Sequence, residues 1–206
     1  MTEAEDFVKE APEAQDGIKV ISLTDLPGGN PTMVYLIVLL AVLARFIPHL
    51  PNFSPVFGAL LFGGANLRKR DSIWFPLVLL GASDFVLTHV IYRMSIGWAE
   101  LFQIAAFAAM TMMGWLLRPR VTLGRFSFAC VAGPTAFYLL SNFGVWLGWH
   151  TYLPTWAGLV QCYVAGIPFY GYSLGSTFLF AGVLFGLYEF YRPRQAHNVR
   201  TQARTS

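Results

Sequence analysis

From about residue 31 to residue 192 the chain is a succession of apolar segments separated by short hydrophilic gaps, and the gaps alternate in charge. Of its 14 Lys and Arg residues, all but Arg45 and Arg93 fall in every second gap. The basic gaps hold Lys9 and Lys19, then Arg68-Lys69-Arg70, then Arg118, Arg120 and Arg125, and finally Arg192, Arg194, Arg200 and Arg204. Membrane proteins retain Lys and Arg on the cytoplasmic side. The basic gaps therefore read as cytoplasmic, and those around Arg45, Arg93 and residues 149–171 as external.

Composition supports the same class. Hydrophobic residues make up 55% and charged residues 12%, against roughly 25% charged in a soluble domain. A chain of 206 residues suits one compact domain. The sequence pI of about 9.0 does not require nucleic acid, because the basic clusters flank apolar runs, where topology and anionic headgroups account for them. Residues 1–30 are acidic where a signal peptide needs a positive n-region. They read as a disordered cytoplasmic tail.

A helix needs about 20 residues to cross the hydrocarbon core. Spans are expected over residues 32–47, 52–67, 72–92, 99–117, 126–148 and 172–191, the first two short enough to tilt or thin the bilayer. Residues 149–171 are apolar, yet Pro154 and Pro168 bracket too few residues for a crossing. A seventh span would also place the basic C-terminal segment outside. The expectation is an all-α membrane protein of the inner (cytoplasmic) membrane, a six-transmembrane-helix bundle with both termini cytoplasmic. Its outer loop, 149–171, would contain an interfacial helix. The division is a tail over 1–30, a membrane domain over 31–192 and a basic tail over 193–206.

Asp84 is the costliest residue, about 18 Å up its helix at 1.5 Å per residue. A carboxylate at such depth costs on the order of 2.5 kcal/mol or more and faces a partner or a wet cavity. Arg45, near the outer end of the first span, is its natural partner, either as a structural ion pair or within a ligand site. Three prolines stiffen residues 48–55 and hold His49 and Asn52 in a rigid turn or a binding edge. Asn142 and Trp146 lie in the outer third of the fifth span, as helix-packing groups or as a pocket wall. Trp156, Gln161 and Tyr163 belong to an outer segment rich in aromatics and amides, which fits an interfacial belt or a pocket lid. Cys130 and Cys162 differ in depth, so no disulfide is expected. The His and Cys residues lack paired metal-ligand spacing, and no enzyme motif is present. No cofactor and no catalytic residue is expected.

The stretch 45–65 (RFIPHLPNFSPVFGALLFGGA), Ser83-Asp84-Phe85, and the runs 141–147 (SNFGVWL) and 152–169 (YLPTWAGLVQCYVAGIPF) resemble an uncharacterised bacterial family of multi-pass membrane proteins that carries only a transport-protein label. That family is similar in size and topology to the substrate-binding S components of energy-coupling-factor vitamin transporters. The resemblance implies capture of a small vitamin-like or cofactor-precursor substrate from the outer face, by a protein acting alone or docked on an energising ATPase module. The alanine-pair docking face of S components is matched only loosely here. A membrane scaffold or assembly subunit without a small-molecule ligand is the other reading. The capture reading expects a cavity lined by Asn52, Asp84, Asn142, Trp146 and Tyr163. The scaffold reading expects those groups paired with one another and no cavity.

Overall fold

The computed structural model describes residues 31–47, 52–91, 93, 97–118 and 120–205, with residue 31 and residues 191–205 as backbone only. Among the described residues there are six α-helices and no strand: α1 (Pro31–Leu43), α2 (Val56–Asn66), α3 (Lys69–Phe85), α4 (Trp98–Gly114), α5 (Leu123–Gly148) and α6 (Trp156–Thr205). A 3₁₀ turn over Ala44–Phe46 follows α1, a π-helical turn over Val86–Ile91 extends α3, and a second 3₁₀ turn over Trp115–Leu117 closes α4. Four helical stretches are long and apolar enough to cross a membrane: Lys69–Ile91, Trp98–Leu117, Leu123–Gly148 and Trp156–Phe190. The chain is thus a multi-pass membrane-type helical bundle. The acidic segment 1–30 and His49 lie outside the described residues.

The helix starts follow local chemistry. Thr122 Oγ1 accepts the Arg125 amide of α5 at 3.4 Å, and Thr155 Oγ1 accepts the Gly158 amide of α6 at 3.2 Å, each satisfying an amide that the first turn leaves without a partner. At α4, Glu100 Oε2 takes the Gly97 amide at 2.7 Å, the Glu half of a capping box. Asn52, Arg93 and His150 all have positive φ, at 58°, 54° and 55°. They mark the three loops at one end of the bundle, called here the Trp149 end.

α2 is the centre of the fold. Its residues from Val56 through Ala65 are all buried, and it packs against each of the other five helices. Eleven residues make about 16 Å of helix, roughly half the hydrocarbon thickness. The short second segment therefore need not thin the bilayer, because protein surrounds it. Lipid tails are as apolar as leucine, so helices associate in a bilayer through close packing, and α2 achieves this with small residues. A Cβ on Gly64 would sit 3.0 Å from the Gly114 Cα and collide with the Thr111 carbonyl, while one on Gly58 would reach 2.6 Å from the Ala181 amide.

The last span differs most from expectation. α6 runs without a break from Trp156 to Thr205, so residues 156–171 are its first turns rather than part of an outer loop, and 193–205 continue it. Pro168 fixes φ near the helical value and removes one hydrogen bond, a loss that buried helices tolerate. Pro76 and Pro134 lie inside α3 and α5 in the same way. The apolar part of α6, 35 residues, is about 52 Å long and outreaches a core of about 30 Å.

Gly64→Leu should lower the thermal stability of the purified protein by about 1–3 kcal/mol or more through overpacking. Gly182→Leu should not, because a Cβ there meets nothing within 4 Å. Thermal melts in detergent check this, and equal tolerance of both substitutions would remove α2 from its central role.

Candidate functional site

The first contact at the Trp149 end is between Arg45 and Asp84. Arg45 Nη2 forms an ion pair with Asp84 Oδ1, its Nη1 donates to Ser83 Oγ at 2.8 Å, and its guanidinium lies over the Phe107 ring, 5.5 Å from the centroid. Ser83 passes its own hydroxyl to the Leu80 carbonyl at 2.9 Å. Asp84 Oδ2 is buried and has no hydrogen-bond partner among the described residues. A carboxylate oxygen left unpaired away from water is costly.

Asp84 lines a cavity of about 190 Å³ between the ends of α3, α4 and α5, together with Thr88, Glu100, Gln103, Ser141 and Trp149. A second cavity of about 360 Å³ lies toward α6, against Asn52, Phe137, Asn142, Tyr152, Cys162 and Phe169. Gln103, Ser141, Val145 and Trp149 border both, so the two are lobes on either side of one wall. Ligand pockets are commonly 300–1,000 Å³, apolar with a few oriented polar groups, and the lobes together meet that description.

The floor is aromatic. Phe137, which lines the larger lobe, packs against Phe57 of α2 at 4.7 Å and Phe107 of α4 at 5.2 Å between ring centroids. Asn142 is held by its own helix and by α6. Its Nδ2 donates to the Tyr138 carbonyl at 2.8 Å, and the Cys162 thiol donates to the Asn142 carbonyl at 3.3 Å. Gly166 makes room for the amide, since a Cβ there would lie 2.6 Å from Asn142 Oδ1. Asn52, with its left-handed backbone, takes a bond from Ser176 Oγ on its own carbonyl at 3.2 Å.

The structure therefore brings Asp84 to the smaller lobe and Asn52 and Asn142 to the larger one beside it, with Arg45 holding Asp84. Trp146, Trp156, Gln161 and Tyr163 are not among its walls. Trp146 Nε1 donates to the Leu153 carbonyl at 3.0 Å and ties down the α5–α6 connection. Tyr163 donates to the Leu139 carbonyl at 2.9 Å, and its own carbonyl accepts from Tyr138 at 2.6 Å, so it clasps α5 to α6. Trp156 is 83% exposed, and Gln161 is exposed on the outside of α6. Gln103 and Ser141 are wall residues that the sequence pattern does not single out, and Trp149 and Tyr152 are wall residues that it shows only as part of the aromatic outer segment. A Gln in an apolar segment, one turn past Glu100, is the signal that could have found the first. No group of three or more His, Cys, Asp or Glu side chains could hold a metal ion among the described residues. Both cysteines are buried free thiols.

Residues 28–200 match DUF6580, a family of unknown function, and the chain belongs to that family. No curated protein and no solved structure matches it.

Truncating one member of a buried ion pair costs roughly 3–5 kcal/mol, because the other charge is stranded. Asp84→Asn and Arg45→Gln should each lower stability in detergent by that order, and the double variant should recover part of the loss. Single variants as stable as the wild type would mean that the pair has no structural role.

Proposed function

We propose that this protein is a membrane transport protein of the bacterial cytoplasmic membrane that captures a small molecule, vitamin-like or a cofactor precursor, at its Trp149 end. In this reading the Trp149 end faces outward, and both termini and the Lys69 and Arg120 loops are cytoplasmic, which the bias of Lys and Arg toward that side supports. The observation that carries the reading is the two-lobed cavity at that end, whose Asp84, Gln103, Asn142 and Trp149 walls combine apolar surface with a few fixed polar groups. A packed scaffold has no use for that space.

Capture is S-component-like, and the protein works alone or docked on an energising ATPase module. α6 offers a docking face, because added Cβ atoms at Gly171, Gly182 and Gly186 would meet nothing within 4 Å, leaving room for a second helix to approach closely. The same face is the feature that a scaffold or assembly subunit without a ligand would use.

A thermal-shift panel of vitamins and their precursors tests capture. A ligand present at about a hundred times its Kd stabilises the native state by about 2.7 kcal/mol, so one panel member should raise the melting temperature by several degrees. Ser141→Trp, which fills the shared wall, should abolish that shift while the apo melting temperature stays near wild type. A panel without effect on the wild type, combined with a Ser141→Trp substitution tolerated at no cost to the host cell, would favour the scaffold.

A further inference from the structure

We propose that the ligand carries a protonated amine beside a flat polar ring, the amine seated in the Asp84–Glu100 lobe and the ring in the lobe across Trp149. This assignment of substrate class rests on the capture reading above.

Charge separates the two lobes. Asp84 and Glu100 both line the smaller one, and among the described residues no Lys or Arg side chain lines either lobe. Arg45 offsets Asp84 from behind the wall, which leaves the smaller lobe negative through Glu100. Asp84 gives one oxygen to Arg45, and its other oxygen is buried out of reach of solvent. An ammonium has donors and no acceptor, so it is the group that suits the Glu100 carboxylate of this lobe. The Gly97 amide fixes the Glu100 carboxylate from one side. Trp149, common to both lobes, provides the indole surface over which cations are favoured.

The larger lobe is different. Its walls are Phe137, Tyr152 and Phe169, and its polar side chains include the neutral amides of Asn52, Gln103 and Asn142. Aromatic walls select a flat ring, and amides serve ring nitrogens or carbonyls by donating or accepting as needed. An anionic group would find carboxylates in one lobe and, among the described residues, no compensating cation in either.

Three indoles that differ only in the charge of the side chain test the assignment: tryptamine, which is protonated at neutral pH, neutral tryptophol, and anionic indole-3-acetate. Each is titrated into the purified full-length protein and followed by calorimetry. Tryptamine should bind at least about tenfold more tightly than tryptophol, a difference within reach of a desolvated cation–aromatic contact and one charge, and indole-3-acetate should not bind. Glu100→Gln keeps an acceptor for the Gly97 amide and removes the charge. It should erase the preference for tryptamine over tryptophol. Equal or tighter binding of tryptophol or indole-3-acetate would overturn the amine assignment while capture stands. Saturable binding of none of the three at millimolar concentration would also overturn it, and capture would then rest on the vitamin panel alone. Tryptamine binding that survives Ser141→Trp would overturn its location.

Discussion

The enclosure of α2 is the constraint on which the rest of the bundle depends. A helix of eleven residues, buried along its length, satisfies its backbone internally and still cannot reach across a bilayer on its own. It persists because five helices surround it, and they come close enough only because Gly58, Gly63 and Gly64 carry no side chain. The start of α2 at Val56 sets the depth of the cavity. Below the Phe57–Phe137 contact the interior is filled by Leu60, Leu61 and Phe62, each nearly or wholly buried. Above it, among the described residues, no central helix follows, and the cavity lies between α3, α4, α5 and α6.

The ion pair links that core to the site. Arg45 rests on Phe107, which packs on Phe137, and from there it grips Asp84 at the edge of the smaller lobe. A buried pair of this kind seldom adds net stability over an apolar alternative. Its part at the cavity is to hold the Asp84 side chain in one orientation at the edge of the smaller lobe. At the opposite end of the bundle Arg118 has a structural part. It donates to the Leu67 carbonyl at 2.8 Å, just past the end of α2, and lies over the Trp115 ring.

Much of the fold was legible in the residues, because the apolar segments and their charged gaps follow from the solvation of backbone and charge in lipid. The Arg45–Asp84 partnership was legible for the same reason: two costly charges at one depth must meet. The start of the last helix was not. Pro168 reads as a boundary in the sequence, whereas α6 continues through it despite the lost hydrogen bond and the crowding of its ring. The cavity walls were only partly legible. The density of aromatics between Trp146 and Tyr170 indicates an end of the bundle and not a direction, so it could not separate Trp149, on the cavity, from Trp146 and Tyr163, which hold α5 against α6. Gln103 and Ser141 are single polar residues in apolar runs, and only the packing of three helices shows that they face a common space.

The central claim is that the space at the Trp149 end holds a small molecule. The most direct measurement is mass spectrometry of the small-molecule extract of the protein purified from bacterial membranes in native lipid, wild type beside Ser141→Trp. The account predicts one compound in near-stoichiometric amount with the wild type and absent from the variant. Extracts with the same contents from both proteins would contradict it.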